Sequence, residues 1–276
     1  MECPTSINGP VAVIGDVHGQ VEKLLAVLDR LRALPDYDRR WIVFIGDLVD
    51  RGPDPKGAID VALDLMLEHS RTTIVSGNHE FAMAASAGLL PVPEYSNWSA
   101  RWVDHYGADT TFESYGAEFG NLDDLVARMP ERHRELLSDL PWCVEHPEYL
   151  FVHAGLDPNQ PLAMQLPVLR KRDYSLTRPP WLCSKSFADA EIPGDCHATV
   201  VSGHVPVESV YFGPKRILTD TTGGIGGDLS CVLLPEGRVI TSGQDRSDRR
   251  QTAAAPATPR QQTGNTKGGG WLKFWK

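Results

Sequence analysis

The chain has 276 residues, 41% of them hydrophobic and 23% charged, enough apolar material for the core of one large domain or two small ones. A formal charge of -9 at pH 7 repels a phosphodiester backbone and argues against a nucleic-acid partner. The five cysteines, Cys3, Cys143, Cys183, Cys196 and Cys231, form no Cys-x-x-Cys pair, which argues against a zinc knuckle or a disulfide framework.

In chain order, VAVI (11–14) reads as a strand and VEKLLAVLDRLRAL (21–34) as a helix, with Val21, Leu24, Leu25, Leu28 and Leu31 at helical spacing. WIVFI (41–45) is a second strand, followed by a helix over 55–70 that starts on a proline. TTIV (72–75) leads into a mainly helical region to about 140, broken by Pro91, Pro93, Gly107 and Gly116. YLFV (149–152), TVVS (199–202), RILT (216–219) and LSCVLL (229–234) read as further strands, so the chain is of the α/β class. Residues 1–242 are expected to be a catalytic domain, 243–270 a disordered linker rich in Gln, Thr, Ala, Pro and Gly, and 271–276 (WLKFWK) an aromatic, basic tail. Aromatic rings and lysines favour a membrane interface or a partner's groove, so weak, reversible docking is expected of that tail. With no long apolar run and no leader-like N-terminus, the expected location is a reducing cytoplasm, at most peripheral to a membrane.

Five apolar runs end in a glycine-containing turn that bears a metal-type ligand. VAVI ends in Gly15-Asp16-Val17-His18-Gly19, WIVFI in Gly46-Asp47, TTIV in Ser76-Gly77-Asn78-His79-Glu80, YLFV in His153-Ala154-Gly155, and TVVS in Gly203-His204. Ligands bind at the carboxyl ends of strands in α/β sheets, and glycine lets the chain approach an ion or a phosphate closely. Four of the nine histidines stand at these ends. Asp, His and Asn without Cys suit manganese, iron or zinc in an open site rather than a structural zinc cage. A carboxylate such as Asp47 can bridge two ions, and two ions about 3.5–4 Å apart are the usual device for in-line displacement at phosphorus.

GDVHG (15–19), GDLVDRG (46–52), GNHE (77–80), HAG (153–155) and GHVP (203–206) resemble the signature motifs of the PPP-type metallophosphatases, and the likeness runs from about residue 11 to 240. The look is closest to the small bacterial and phage serine/threonine phosphatases. The resemblance implies two mixed β-sheets flanked by helices in α-β-β-α layers. It also implies two divalent ions, most simply Mn2+ with Fe or Zn as alternatives, and direct attack on phosphorus by a hydroxide bridging them. Asp16, His18 and Asp47 match the ligands of one ion, and Asp47, Asn78, His153 and His204 those of the other. His79 matches the proton donor to the leaving group and Asp50 its partner, a carboxylate expected to orient the imidazole and keep it protonated. Arg51 matches a phosphate-gripping arginine, with Asn78 also facing the phosphate. A second such arginine aligns with Arg172 in VLRKRD (168–173), while a rival alignment on WLCSKSF (181–187) places Cys183 there.

The function implied is a metal-dependent phosphomonoesterase acting on phosphoserine and phosphothreonine of proteins. The enzyme alternative is a dinucleoside tetraphosphate hydrolase, whose pattern more often carries Asp where this chain has Glu80. The non-enzyme alternative is an inactive binding module that keeps the fold.

Overall fold

The computed structural model describes residues 3–243, so the linker from residue 244 and the aromatic tail lie outside the described residues. Strand β1 (Val11–Ile14) leads to helix α1 (Val21–Arg32), β2 (Trp41–Phe44) to α2 (Pro55–Glu68), and β3 (Thr72–Ile74) to α3 (Asn78–Ser86). Four helices follow: α4 (Trp98–His105), α5 (Asp109–Ser114), α6 (Leu122–Arg128) and α7 (Glu131–Asp139). Then come β4 (Val144–Glu145), β5 (Tyr149–Phe151), α8 (Leu162–Lys171), α9 (Pro180–Cys183), β6 (Thr199–Ser202), β7 (Tyr211–Gly213), β8 (Arg216–Leu218), β9 (Ser230–Leu234) and β10 (Arg238–Thr241).

The strands form two five-stranded mixed sheets, ordered β10-β9-β1-β2-β3 and β4-β5-β6-β8-β7. Within the first, β1, β2 and β3 run parallel; within the second, β5, β6 and β8 do. The continuous apolar runs follow from burial on both faces. Val11 and Val13 of β1, with Val43 of β2, pack between the sheets against Phe151, Val201 and Ile217 of the other sheet. Their alternates Ala12, Ile14, Ile42 and Phe44 face the helices and meet Leu24 and Leu28 of α1 and Ile59 of α2.

The expected strands and helices are present, some of them one or two residues shorter. Sequence reading omits β4, β7 and β10, which are short or lie at a sheet edge, and it omits α8, whose interior carries Pro167. Among the described residues no helix is long and apolar enough to cross a membrane. Because β1, β2 and β3 are parallel neighbours in one sheet, and β5 and β6 in the other, each set delivers its carboxyl ends to one edge.

Candidate metal centre

That edge gathers the strand-end ligands. Ligand atoms of His18, Asp47 and His79 lie within 4.8 Å of one another, as do those of Asp47, His153 and His204, so Asp47 belongs to both groups. Asp47 Oδ2 is 3.7 Å from His18 Nε2 and 3.3 Å from His153 Nε2. His18 Nδ1 donates to the Val49 carbonyl (2.9 Å) and His153 Nδ1 to that of Ile45 (2.8 Å), which turns both Nε2 atoms to the centre. Asn78 Oδ1 stands 3.1 Å from His153 Nε2. The backbone N–H of His204 donates to Asp16 Oδ2 (2.9 Å), while Asp16 Oδ1 and His204 Nε2 are buried without a hydrogen-bond partner.

Orphaned buried oxygen and imidazole nitrogen in one place are the donor set of a cation site. A Cβ on Gly203 would collide with Asp16 Oδ1 and one on Gly77 with Asp47 Oδ1, so only glycine leaves these carboxylates their space. His18, Asp47, Asp50, Arg51 and His204 all take positive φ, between 47° and 69°. Such left-handed non-glycine backbone is costly, and here it is concentrated in the turns that aim these side chains.

Electrostatics point the same way. Burial, then the neighbouring His79, drops His18 to about 4, and burial, then His153, drops His204 to about 3, so both imidazoles are neutral near pH 7 as ligands must be. Burial followed by the charge of Asp220 pushes Asp16 well above the carboxylate range. Burial also opposes charge on Asp47, but His153 and His79 outweigh it and hold Asp47 well below that range. The same contact lifts His153, against burial, to about 10. Without a cation the cluster therefore balances its carboxylates with protons. The two groups that share Asp47, with Asp16 Oδ1 and Asn78 Oδ1 beside them, have the donor chemistry of a site for two cations.

His79 is close enough to count with the first group, but its Nδ1 is taken by Asp50 Oδ2 at 2.7 Å. Its Nε2 is buried, has no hydrogen-bond partner and lies 3.9 Å from Asp47 Oδ2. The expectation that Asp50 keeps this imidazole protonated needs correction. Burial drops His79 to about 3 and lifts Asp50 to about 7, so burial works against the charged pair and the contact chiefly orients the ring. Arg51 Nη1 donates to His18 Nε2 at 3.1 Å. That bond uses the lone pair a cation would take, so ion binding releases the guanidinium.

The structure does not bring Arg172 to the cluster. Its Nη2 pairs with Asp139 at 2.9 Å, its Nη1 donates to the Leu140 carbonyl at 3.4 Å, and its guanidinium lies over the Tyr174 ring. The stretch that borders the cluster is α9, as the rival alignment has it. The backbone of Cys183 hydrogen-bonds the His204 ring and accepts from Arg178 Nη2 at 3.2 Å. Arg178, five residues earlier in sequence, carries the exposed guanidinium there.

Sequence reasoning also misses four residues. Glu80 Oε2 accepts from the backbone N–H of Asp47 (2.7 Å) and Gly77 (2.9 Å), and its Oε1 from Leu48 (2.6 Å) and Val49 (3.2 Å). The Tyr106 ring lies 4.9 Å from that of His79, and its hydroxyl hydrogen-bonds Asn78. Trp102 and Thr111 hold Asp50. Position in the GNHE motif signals Glu80; no motif marks the other three.

A family model, the calcineurin-like phosphoesterases, matches residues 9–230. The chain belongs to that family. Among curated relatives, the asymmetrical bis(5'-nucleosyl)-tetraphosphatase PrpE of Bacillus thuringiensis is 24% identical over 249 residues, covering 83% of this chain and 92% of the relative. A protein serine/threonine phosphatase of Saccharomyces cerevisiae with similarity to human phosphatase PP5 superposes with a TM-score of 0.58 at 17% identity, over 87% of this chain and 84% of that one. A cold-active protein-tyrosine phosphatase of a Shewanella species gives 0.54 at 17% identity, over 87% and 80%. Both structures speak for the shared fold alone.

Proposed function

We propose that this calcineurin-like phosphoesterase is a two-metal phosphomonoesterase acting on phosphoserine and phosphothreonine of proteins. The observation that carries the reading is the His79–Asp50 pair. One imidazole nitrogen is tied to a buried carboxylate at 2.7 Å, and the other is buried, unpartnered and turned to the cluster. A serine or threonine alkoxide is a poor leaving group and needs a proton as it departs, the service a general acid provides. Asp16, His18, Asp47, Asn78, His153 and His204 would hold two ions, which would supply charge stabilisation and lower the pKa of a bound water toward neutrality. Arg51, released from His18, grips two phosphoryl oxygens in its fork, with Asn78 facing the same group. The negative charge of a bound phosphoryl group offsets the burial that lowers His79, so that in the substrate complex the ring carries a proton on Nε2 while Nδ1–H stays on Asp50, and the leaving oxygen takes that Nε2 proton as its bond to phosphorus breaks. The oxygen of water forms the new bond to phosphorus, and inorganic phosphate is the product.

A second reading, hydrolysis of dinucleoside tetraphosphates, is favoured by the curated relatives that match across nearly their whole length. A departing nucleotide is a good leaving group and leaves the His79 acid little to do. The two are separated by assaying phosphoserine, phosphothreonine and phosphotyrosine peptides beside dinucleoside tetraphosphate with manganese present. Turnover of phosphoserine and phosphothreonine peptides above the nucleotide is the expected result. Preference for the nucleotide by tenfold or more on kcat/KM, about 1.4 kcal/mol, establishes the second reading instead.

A further inference from the structure

Trp102 and Thr111 lie 52 and 61 residues beyond Asp50 in the chain, in α4 and α5, and carry no motif. Both are fully buried. Trp102 Nε1 donates to Asp50 Oδ2 at 2.9 Å, the oxygen that also faces His79 Nδ1. The Thr111 hydroxyl donates to Asp50 Oδ1 at 2.5 Å and accepts the Asp50 backbone N–H at 3.2 Å. The next residue is clamped as well, since Arg51 N–H donates to the Gly107 carbonyl at 3.0 Å, between the two helices. Asp50 and Arg51 stand at φ of 69° and 67°, a conformation that persists only where its surroundings fix it.

We infer that Trp102 and Thr111 are positioning residues for the acid: they fix the Asp50 carboxylate and, through it, aim His79 Nε2 at the leaving oxygen. An indole N–H is a donor only, so with the Thr111 hydroxyl it commits both Asp50 oxygens as acceptors. Oδ2 then receives Nδ1–H of His79, which selects one ring orientation and leaves Nε2 to the substrate. Thr111 reads the strained turn through the backbone and the carboxylate together, so a shift of α5 is transmitted to the acid without touching an ion ligand. The inference rests on His79 acting as the acid, and its test is arranged to fail separately from that reading.

The test uses the manganese-loaded full chain and variants Trp102→Phe, Thr111→Val, Thr111→Ser and His79→Asn. Phenylalanine keeps the ring that stacks on Phe112, with centroids 5.3 Å apart, and valine keeps the shape of threonine without its hydroxyl. Each variant is assayed with a phosphoserine peptide, whose alkoxide needs the proton, and with dinitrophenyl phosphate, whose phenolate does not. Metal content and Tm are recorded alongside. For the peptide, kcat should fall roughly tenfold for Trp102→Phe and for Thr111→Val, the worth of a hydrogen bond to a charged group. The dinitrophenyl rate, the metal content and the peptide KM should stay within about twofold of the parent, and Thr111→Ser should restore the peptide rate. Equal losses on both substrates mean that the two residues serve stability alone and overturn the inference, as do unchanged peptide rates. If His79→Asn itself loses both substrates equally, the acid reading fails and the inference falls with it.

Discussion

Asp47 Oδ2 lies 3.3 Å from Nε2 of His153, and the same oxygen is 3.7 Å from Nε2 of His18. One carboxylate thus serves both halves of the cluster, and its Oδ1 accepts the His79 backbone N–H at 3.1 Å. Asp47→Asn should therefore remove both ions rather than weaken one, and abolish turnover. Elemental analysis of the purified variant decides this. Two ions retained with measurable turnover would refute Asp47 as the bridge.

Ion binding should release protons. In the ion-free site Asp47 raises His153 to about 10 against the burial that lowers it, so this imidazole is charged at pH 8 and must lose its proton to become a ligand. The sign for stability follows. A histidine raised above its ordinary 6.5 stabilises the ion-free fold fully below that pH, and this contribution is lost as pH climbs toward 10. Calorimetric titration of manganese into chelator-stripped protein at pH 8, in buffers of different ionisation enthalpy, should give release of about one proton or more. No dependence of the heat on buffer would contradict the assignment of His153 as a ligand.

Glu80 supports the turn that carries the bridging carboxylate. Glu80→Gln replaces one of two acceptor oxygens by a donor facing backbone N–H groups that have no water to turn to. Each oxygen accepts two such groups, so the cost should be about 3 kcal/mol or more. Denaturant unfolding of the ion-free protein reads this as a lower midpoint at unchanged m-value. A midpoint unmoved by the substitution would show that the turn holds itself.

The contrast between Asp47 and Trp102 shows where sequence reading stops. A ligand at the end of an apolar run, next to glycine, is a local pattern, and parallel strands bring such ends together without further instruction. The gathering of His18, Asp47, His153 and His204 was legible for that reason, as were β1, β2, β3, β5 and β6. Trp102 and Thr111 reach Asp50 through packing of α4 and α5, and nothing local distinguishes a tryptophan that donates to a carboxylate from one that fills a core. The same limit misplaces Arg172. A basic run marks charge but not the side of the molecule it faces, and here Asp139 and Tyr174 hold the guanidinium elsewhere.

Arg172 and Arg178 make opposite predictions. Arg172 is paired with Asp139, and both side chains are partly open to solvent (25% and 53%), so Arg172→Ala should cost at most about 1 kcal/mol of stability and leave KM within twofold of the parent. Arg178 donates to the carbonyl of Cys183, whose backbone also meets the His204 ring, and its charge reaches Tyr106, which hydrogen-bonds Asn78. If a phosphoryl dianion at the cluster takes up this guanidinium, the contact is a binding interaction made before and during bond breaking. Arg178→Ala should therefore raise KM for a phosphoserine peptide roughly 3- to 30-fold, the span of a charge-assisted hydrogen bond, with kcat nearly unchanged and the same Tm. Arg51→Ala should lower kcat as well, because Arg51 lies on the strained turn beside Asp50 and contacts His18 directly. Steady-state kinetics of the three variants on one peptide settle the order. A raised KM in Arg172→Ala with a silent Arg178→Ala would return the second phosphate grip to the basic run after α8.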